Sequence, residues 1–467
     1  MINFAFKRFI FLTLLVLPAC EAPKTNSFTS QAKDLFGIFG SSKNKPPSVN
    51  GSKSTTMTKL ELNSIVDTSA ASAKLDGSFL EAVKSSVAGD PDVLSAKARY
   101  QSKLASIALL KSSKEFKFDG ALLGGIEDVT DETVGAVAII NGNKVIHDGG
   151  KIESHISRDE FLASAALAEY KMIQNKKAYE ALSAWVNLKR YSTLNEMVQS
   201  RLEILAPLIQ QLEQVADAGL GDASQVAAAE RTVNTIRVIE KEVTQQLAQA
   251  EVAFKNIYGA VASGIAFNGS MISTALPSSD EQIILTSAPT VVLNYARYGA
   301  AVSQYNSVLA KDSFDVGFEA KIQRPLGGSN FDSDESIGFV VRKTLHDGGS
   351  LKAEKLVYAA QVSAALDTLK SEIRSTDKKV KEAKEAIISI RDAIKIANTN
   401  AKNVKDEIGY LRQQLIIGQS SLDSVLSAEA RLYEAEAKSI NLASDQYLSE
   451  LAILGVLGKL AFIFELN

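Results

Sequence analysis

The sequence is poor in the residues that build cross-linked, metal-binding or catalytic domains. It has one cysteine in 467 residues, so no disulfide forms within the chain. It has three histidines, and two of them belong to a repeated motif, His147-Asp148-Gly149-Gly150 and His346-Asp347-Gly348-Gly349. A metal site needs three or four converging ligands. His155 lies a turn or two beyond the first motif, and no third partner stands at a suitable spacing. The motif is better explained as a strand-end turn in which Asp-Gly-Gly supplies backbone freedom. We therefore expect neither an enzyme nor a metal protein. Charge of one sign is also missing: 51 basic and 54 acidic residues nearly cancel, and no Lys/Arg cluster suggests a nucleic-acid partner. Nine prolines and one tryptophan, against abundant Ala, Ser, Leu, Lys and Glu, give the composition of long helices.

The N-terminus has the marks of an export signal over 1–19. Lys7 and Arg8 precede an apolar run over 9–17, which is too short to span a bilayer and has the length of a signal-peptide core. The run ends at Leu17-Pro18-Ala19-Cys20, which resembles a bacterial lipobox but departs from it at Pro18. The alternative is an ordinary secretory signal that contains a cysteine. On the lipobox reading Cys20 carries several acyl chains, and each buried methylene adds about 0.8 kcal/mol to anchoring. Apart from this covalent lipid no cofactor is expected. Glu21 is not the aspartate that lipoprotein sorting commonly reads as retention in the inner membrane, so the resemblance favours the outer membrane. Residues 20–74 then form a Ser/Thr/Lys/Asn-rich tether with Pro46-Pro47 at its middle.

The chain is internally duplicated. His-Asp-Gly-Gly recurs after 199 residues, and the same offset relates Gly219 to Gly418, Val226 to Val425, Glu230 to Glu429 and Gly259 to Gly458. Tyr100 and Tyr305 are 205 apart, which predicts about six extra residues in the second copy, placed at 325–330. The first repeat is expected over 75–258 and the second over 290–458. Residues 259–289 connect them, and 459–467 form a tail.

Each half is expected to run helix, two strands, very long helix, tight turn, helix. Phe314, Val316, Phe318, Ala320 and Ile322 alternate with polar residues, and Ile337, Phe339 and Val341 repeat the pattern. In the first copy the weaker equivalents are Phe116, Phe118 and Ala121, then Val134, Ala136, Ala138 and Ile140. Such alternation suits a membrane-spanning strand or a half-buried strand of a soluble sheet. Each His-Asp-Gly-Gly motif is followed by about 65 helical residues, roughly 100 Å at 1.5 Å per residue. Ile387, Ile390, Ile394, Ala397, Ala401, Val404, Ile408, Leu411 and Leu415 form a strict heptad, and Leu194, Val198, Leu202, Leu205, Leu208 and Leu212 run similarly. Gly219 and Gly418 stop these helices. Asp222 with Gln225 resembles a capping box, and Ser420 or Ser421 can cap the second return. The returning helices are expected over 222–258 and 421–457, and the helix before the first strands over 76–112. Two of these stacked end to end match one long helix.

Taken in order, Asp148-Gly149-Gly150, the stretch from Gly219 to Val226 and the Ala/Glu-rich heptads closing on Gly259 resemble the TolC-like outer-membrane efflux and secretion channels. Asp347-Gly348-Gly349, Gly418 to Val425 and the heptads closing on Gly458 repeat the pattern, so the resemblance covers about residues 75–460. It implies a mainly α chain with membrane β-strands. Three copies would share a twelve-strand barrel in the lipid bilayer of the outer membrane, continued by a periplasmic α-helical tunnel. The connection and both termini would form an equatorial belt. It implies a homotrimer that works with a periplasmic adaptor protein and an inner-membrane pump of RND or ABC type, in drug efflux or type I secretion. Gly219, Leu220, Gly221, Gly418, Gln419 and Ser420 would be the adaptor-docking tip. Ser424 and Ser427 stand where some relatives carry a cation-binding pair of aspartates, so that ring is absent. Asp222 and Asp423 either supply a displaced acidic aperture or serve as capping residues. Leu415 and Ser420 also replace polar gating residues of some members, so the gate closes differently. The rival reading is a periplasmic coiled-coil adaptor or scaffold lipoprotein. Such proteins carry one helical hairpin in a β-rich region, not two equivalent hairpins each preceded by strands.

Overall fold

The computed structural model describes residues 78–466, apart from 127–133, 220–222, most of 261–284 and 327–332. The signal segment, Cys20, the tether, Leu220, Gly221, Asp222 and most of the expected insertion therefore lie outside the described residues. In chain order the elements are α1 (Phe79–Ala88), α2 (Pro91–Ser112), β1 (Lys117–Ile126), β2 (Val134–His147), α3 (Lys151–Asp217) and α4 (Ala223–Tyr258). After a short 3-10 turn (Leu285–Ser287) come α5 (Pro289–Ala310), β3 (Asp315–Pro325), β4 (Asp334–Arg342), α6 (Ser350–Ile416), α7 (Leu422–Val456) and α8 (Lys459–Ile463). The duplicated order expected from the sequence is present.

The duplication extends to backbone conformation. Gly149 and Gly348, Gly150 and Gly349, Gly219 and Gly418, and Gly259 and Gly458 all have left-handed φ, between 64° and 89°. These are the torsions glycine adopts without a Cβ penalty, so the repeat fixes where the chain turns as well as where it is apolar. The elements also correct the alignment before the strands. Pro91 and Pro289 both open a helix, and β1 and β3 start at Lys117 and Asp315, an offset of 198. Tyr100 thus corresponds to Tyr298, not Tyr305, and the second copy carries one extra residue before its His-Asp-Gly-Gly rather than six.

A second correction concerns 76–112, which is two helices and not one. Gly89 closes α1, and the Asp90 side chain accepts from Asp92 N at 2.8 Å and Val93 N at 3.4 Å to start α2, with Pro91 in its first turn. A capped Asp-Pro start leaves no continuous helix across the break. Ser78 and Glu81 make a reciprocal capping box for α1.

Each long helix has 67 residues, about 100 Å. Near the sheet, α3 packs against α2 on one side and α5 on the other, and α5 packs against α6. Nearer the turns, α3, α4 and α7 pack against one another, and α7 also packs against α6. Short helices thus stack end to end beside long ones, as the length match implied. The heptad positions form the seams. Val198 and Leu205 of α3 are fully buried with Ala229 and Ile236 of α4 and Leu426 of α7, while Ile408 of α6 packs with Ala428 and Leu432 of α7. Midway along α3 an aromatic core gathers both ends of the described chain. Trp185 meets Phe254 edge-on at 4.7 Å and Phe79 at 5.6 Å, and Phe464 from the C-terminal end meets Phe79 at 6.1 Å. Phe267 and Ile272 of the connection pack into the same core. Asn175 of α3 accepts from Ala461 N at 3.0 Å, which fixes the start of α8.

Candidate functional site: the sheet face, the turns and the helical tip

The four strands form one antiparallel sheet in the order β1-β2-β3-β4. Cross-strand pairs share a face. Phe118↔Gly142↔Ala320↔Ile337, Leu122↔Ala138 and Ile140↔Ile322 therefore lie on one face, together with Phe318↔Phe339 and Val316↔Val341. Its large side chains stand in the open: Leu122 is 77 % exposed, Ile337 76 % and Phe339 72 %. The opposite face carries polar pairs, Asn141 to Asp119 at 3.1 Å, Lys321 to Asp334 at 2.9 Å and Arg342 to Glu319 at 2.7 Å. The expected alternation in β3 and β4 is met. In β1 it is met by Phe118 and Leu122, whereas Ala121 pairs with Ile139 and faces the polar side. The sequence reading missed Leu122 because glycines at 120 and 124 blur the period in this strand.

Charged and aromatic residues bound the apolar face. At the end near the helices, Phe116, Phe318 and Phe339 form an edge-to-face ladder at 5.7 and 5.8 Å, and Lys144 sits 4.7 Å above the Phe116 ring. At the far end Arg324 pairs with Glu335 on the same face. An apolar band between an aromatic girdle and a charged rim, with a polar face behind, is the signature of a strand set with lipid outside and water inside. β3 has 11 residues, enough to span a bilayer when tilted. No described helix is long and apolar enough to cross a membrane.

The two strand-to-helix turns are built alike. Asp148 accepts from Gly150 N at 3.0 Å and Ile152 N at 2.6 Å, and Asp347 from Gly349 N at 2.9 Å and Leu351 N at 2.6 Å. These backbone donors hold the Asp347 carboxyl below the usual carboxylate range. The carboxylates satisfy amide groups that the starting helix leaves open. His147 lies 5.1 Å from the Phe314 ring, and among the described residues no group of three His, Cys, Asp or Glu side chains could hold a metal. Partial burial, and then Arg158 and Lys151, lower the pKa of His155.

At the other end of the long helices, Gly219 and Gly418 adopt left-handed φ of 64° and 73°. Gln419 N donates to Gln414 O at 2.8 Å and closes the last turn of α6. Ser421, rather than Ser420, caps α7 by accepting from Ser424 N at 3.2 Å, and its hydroxyl lies 2.8 Å from that of Ser424. Asp423 stands in the first turn of α7, half-buried and without an ion pair among the described residues, where the helix dipole favours an anion. Ser427 is half-buried one turn on. Asp423, Ser424 and Ser427 are thus brought together at the start of one helix.

The sequence reading missed a buried charge cluster about three turns above this tip. Glu429 is 2 % exposed, and it takes Arg201 of α3 and Arg412 of α6, the latter at 2.7 Å. Arg201 also reaches Glu436 at 2.9 Å. Glu450 is fully buried and accepts from Ser273 and Gln446, both at 2.7 Å, with Arg391 at 3.3 Å. The available signal was an acid inside the Ala/Leu stripe of α7, seen only as a repeat landmark.

Among the described residues, a sheet with one lipid-suited face and two open edges, continued by paired 100 Å helices, has the form of one segment of a membrane-channel wall. No known family profile matches the chain. The outer membrane efflux protein BepC of Brucella suis biovar 1 (strain 1330) is 21 % identical over 411 residues, covering 84 % of this chain and 86 % of BepC. Among solved structures, CusC superposes with a TM-score of 0.72 at 14 % identity, over 83 % of this chain and 96 % of that one. The Campylobacter jejuni CmeC outer membrane channel gives 0.69 at 15 %, over 81 % and 85 %. The chain has the fold of the TolC-like outer-membrane channels.

Proposed function

We propose that this protein is the outer-membrane channel-tunnel of a tripartite export system. Three copies close a twelve-strand barrel in the outer membrane, and their long helices form a periplasmic tunnel. The channel is a passive conduit, and an inner-membrane pump, joined through an adaptor at the tip of residues 219–221 and 418–420, supplies energy and selects substrate. The carrying observation is the sheet, whose four strands expose an apolar face and end on two edges that are unpaired among the described residues. Unpaired strand edges do not survive in hydrocarbon, so the strands enter lipid only as part of a closed ring. Resemblance to a named efflux protein favours efflux over protein secretion as the cargo route. Cys20 is the lipid anchor on this reading, and Asp423 with Asp222 narrows the tip. The adaptor alternative is less well supported, because two hairpins follow two strand pairs in one chain.

Two measurements test the proposal. Purified protein should have the mass of a trimer in detergent and form discrete conducting pores in planar bilayers. A Cys20→Ala protein with its signal segment intact should still require detergent for extraction, because the barrel holds it. Full solubility of that variant, or absence of conductance from a homogeneous trimer, would overturn the channel reading.

A further inference from the structure

The 198/199 offset repeats one more juxtaposition, on the apolar face of the sheet where it meets the helices. Lys144 stands three residues before the first His-Asp-Gly-Gly motif, and Lys343 three residues before the second. Phe116 and Phe314 are equivalent residues, each just ahead of the first strand of its hairpin. The register that pairs Lys117 with Asn143 sets Phe116 opposite Lys144. The register that pairs Asp315 with Arg342 sets Phe314 opposite Lys343. Both hairpins therefore open and close on a phenylalanine–lysine pair. In the first copy the Lys144 ammonium lies 4.7 Å from the Phe116 ring centroid. A barrel built from such hairpins carries these pairs at one level of its lipid face.

Charge at this rim is unbalanced. Neither lysine has an acidic partner among the described residues, although lysines at the adjoining helix ends do: Lys114 with Glu153, Lys311 with Glu354 and Lys355 with Asp312. In the described strands Asp119, Asp315, Glu319 and Asp334 alternate onto the polar face. The acid that remains on the apolar face, Glu335, is taken by Arg324 at the far end. The far rim is thus neutral and the helix-side rim cationic. Glu335 and Lys343 are eight residues apart, about 27 Å along the strand. That is on the scale of the roughly 25 Å apolar band of an outer-membrane barrel. A lysine is tolerated at the edge of such a band, where its stem covers apolar groups and its ammonium reaches the headgroups. Lys144 has that disposition, half-buried with its ammonium over Phe116.

We propose that this rim is a binding surface for anionic phospholipid of the periplasmic leaflet. Lys144 and Lys343 each take a lipid phosphate, and Phe116 and Phe314 pack against the acyl chains. Charge complementarity selects the lipid class. A zwitterionic headgroup brings an ammonium for which the described strands hold no free acid on this face, whereas an anionic headgroup needs none. The inference rests on the channel reading above and adds the lipid that the barrel prefers and the residues that choose it.

Native mass spectrometry of the full-length trimer tests it, with detergent-solubilised protein titrated with phosphatidylglycerol or phosphatidylethanolamine. The parent should retain phosphatidylglycerol in preference. Lys144→Gln and Lys343→Gln should each weaken that binding about fivefold, the effect of one interfacial lysine on an anionic lipid. The double glutamine variant should lose the preference, and Lys144→Arg combined with Lys343→Arg should keep it. Lys117→Gln, at the same end of the sheet on the polar face, should bind as the parent does. Displacement of the lipid by millimolar inorganic phosphate would show a site for the free anion and overturn the proposal. Equal retention of the two lipids by the parent, or an unchanged preference in glutamine variants of trimeric mass, overturns it and leaves the channel reading standing. A monomer that retains no lipid overturns both.

Discussion

Removing the Glu429 carboxylate should loosen the tip half of the bundle far more than removing its repeat partner Glu230. Glu429 is 2 % exposed between two arginines, whereas Glu230 is exposed on α4. Glu429→Ala leaves the Arg201 guanidinium, its side chain only 11 % exposed, with Glu436 as its remaining acid and with Nε already unpartnered. Breaking a buried pair by deleting one partner costs about 3–5 kcal/mol, chiefly because the other charge is left desolvated. Arg412 is half-exposed and turns to water, and Glu436 still serves Arg201, so the low end applies, about 3 kcal/mol. At about 1.4 kcal/mol per tenfold, that is roughly a hundredfold faster amide exchange in the segments of α3 and α7 that open together. An exposed change such as Glu230→Ala should stay within about 0.5 kcal/mol, close to a twofold effect.

Hydrogen–deuterium exchange on peptides from 194–209 and 422–440 gives the comparison directly. An increase below about threefold for Glu429→Ala, or equal increases for both variants, would refute the assignment of Glu429 as a buried clamp. The double change Arg201→Met with Glu429→Leu should recover most of the protection. An apolar replacement of a buried ion pair is often neutral or better, whereas half a pair is not.

Three further outcomes follow from the same geometry. Phe339→Arg puts a charge on the exposed apolar face and should cost about 2–4 kcal/mol in the bilayer, cutting the yield of membrane-assembled protein, while Val340→Arg on the polar face should assemble normally. Gly149→Ala should lower the melting temperature more than Gly348→Ala. Both glycines are left-handed, but only at Gly149 does an added Cβ fall 2.3 Å from Ser313 Cβ and 2.9 Å from Ala310 O. The lowered pKa of Asp347 stabilises the turn above the ordinary carboxylate pKa of about 3.9, and this contribution is lost as pH falls through the folded value. The stability gap between the parent and Asp347→Ala, followed by circular dichroism, should therefore be constant above about pH 5 and narrow below pH 4.

Much of the fold was legible because its signals are periodic. The heptads placed α3 and α6, and the repeated glycines placed both ends of each long helix to within a residue or two. The two Asp-Gly-Gly turns could be assigned from spacing alone, since an acid that caps a helix and two left-handed residues leave few alternatives. Other features failed for local reasons. The break at Gly89-Asp90 was hidden because apolar residues continue on both sides of it. The tyrosine alignment failed because Tyr298 and Tyr305 both lie on α5, and only the helix start at Pro289 decides between them. The Glu429 cluster could not be read at all, because its arginines come from 228 residues upstream and 17 residues upstream on other helices.

The charge cluster also separates the two copies of the repeat. A duplicated chain begins with two long helices that carry equivalent positions. Here α3 carries arginines at 190 and 201 that pair with acids at 429, 436 and 445 of α7, while the equivalent positions on α6 are Ser389 and Asn400. Ionic contacts demand exact geometry and lose much when displaced, whereas apolar contacts are non-directional and tolerate sliding. The α3–α7 contact therefore resists displacement through its arginines, a restraint that α6 lacks at the equivalent positions.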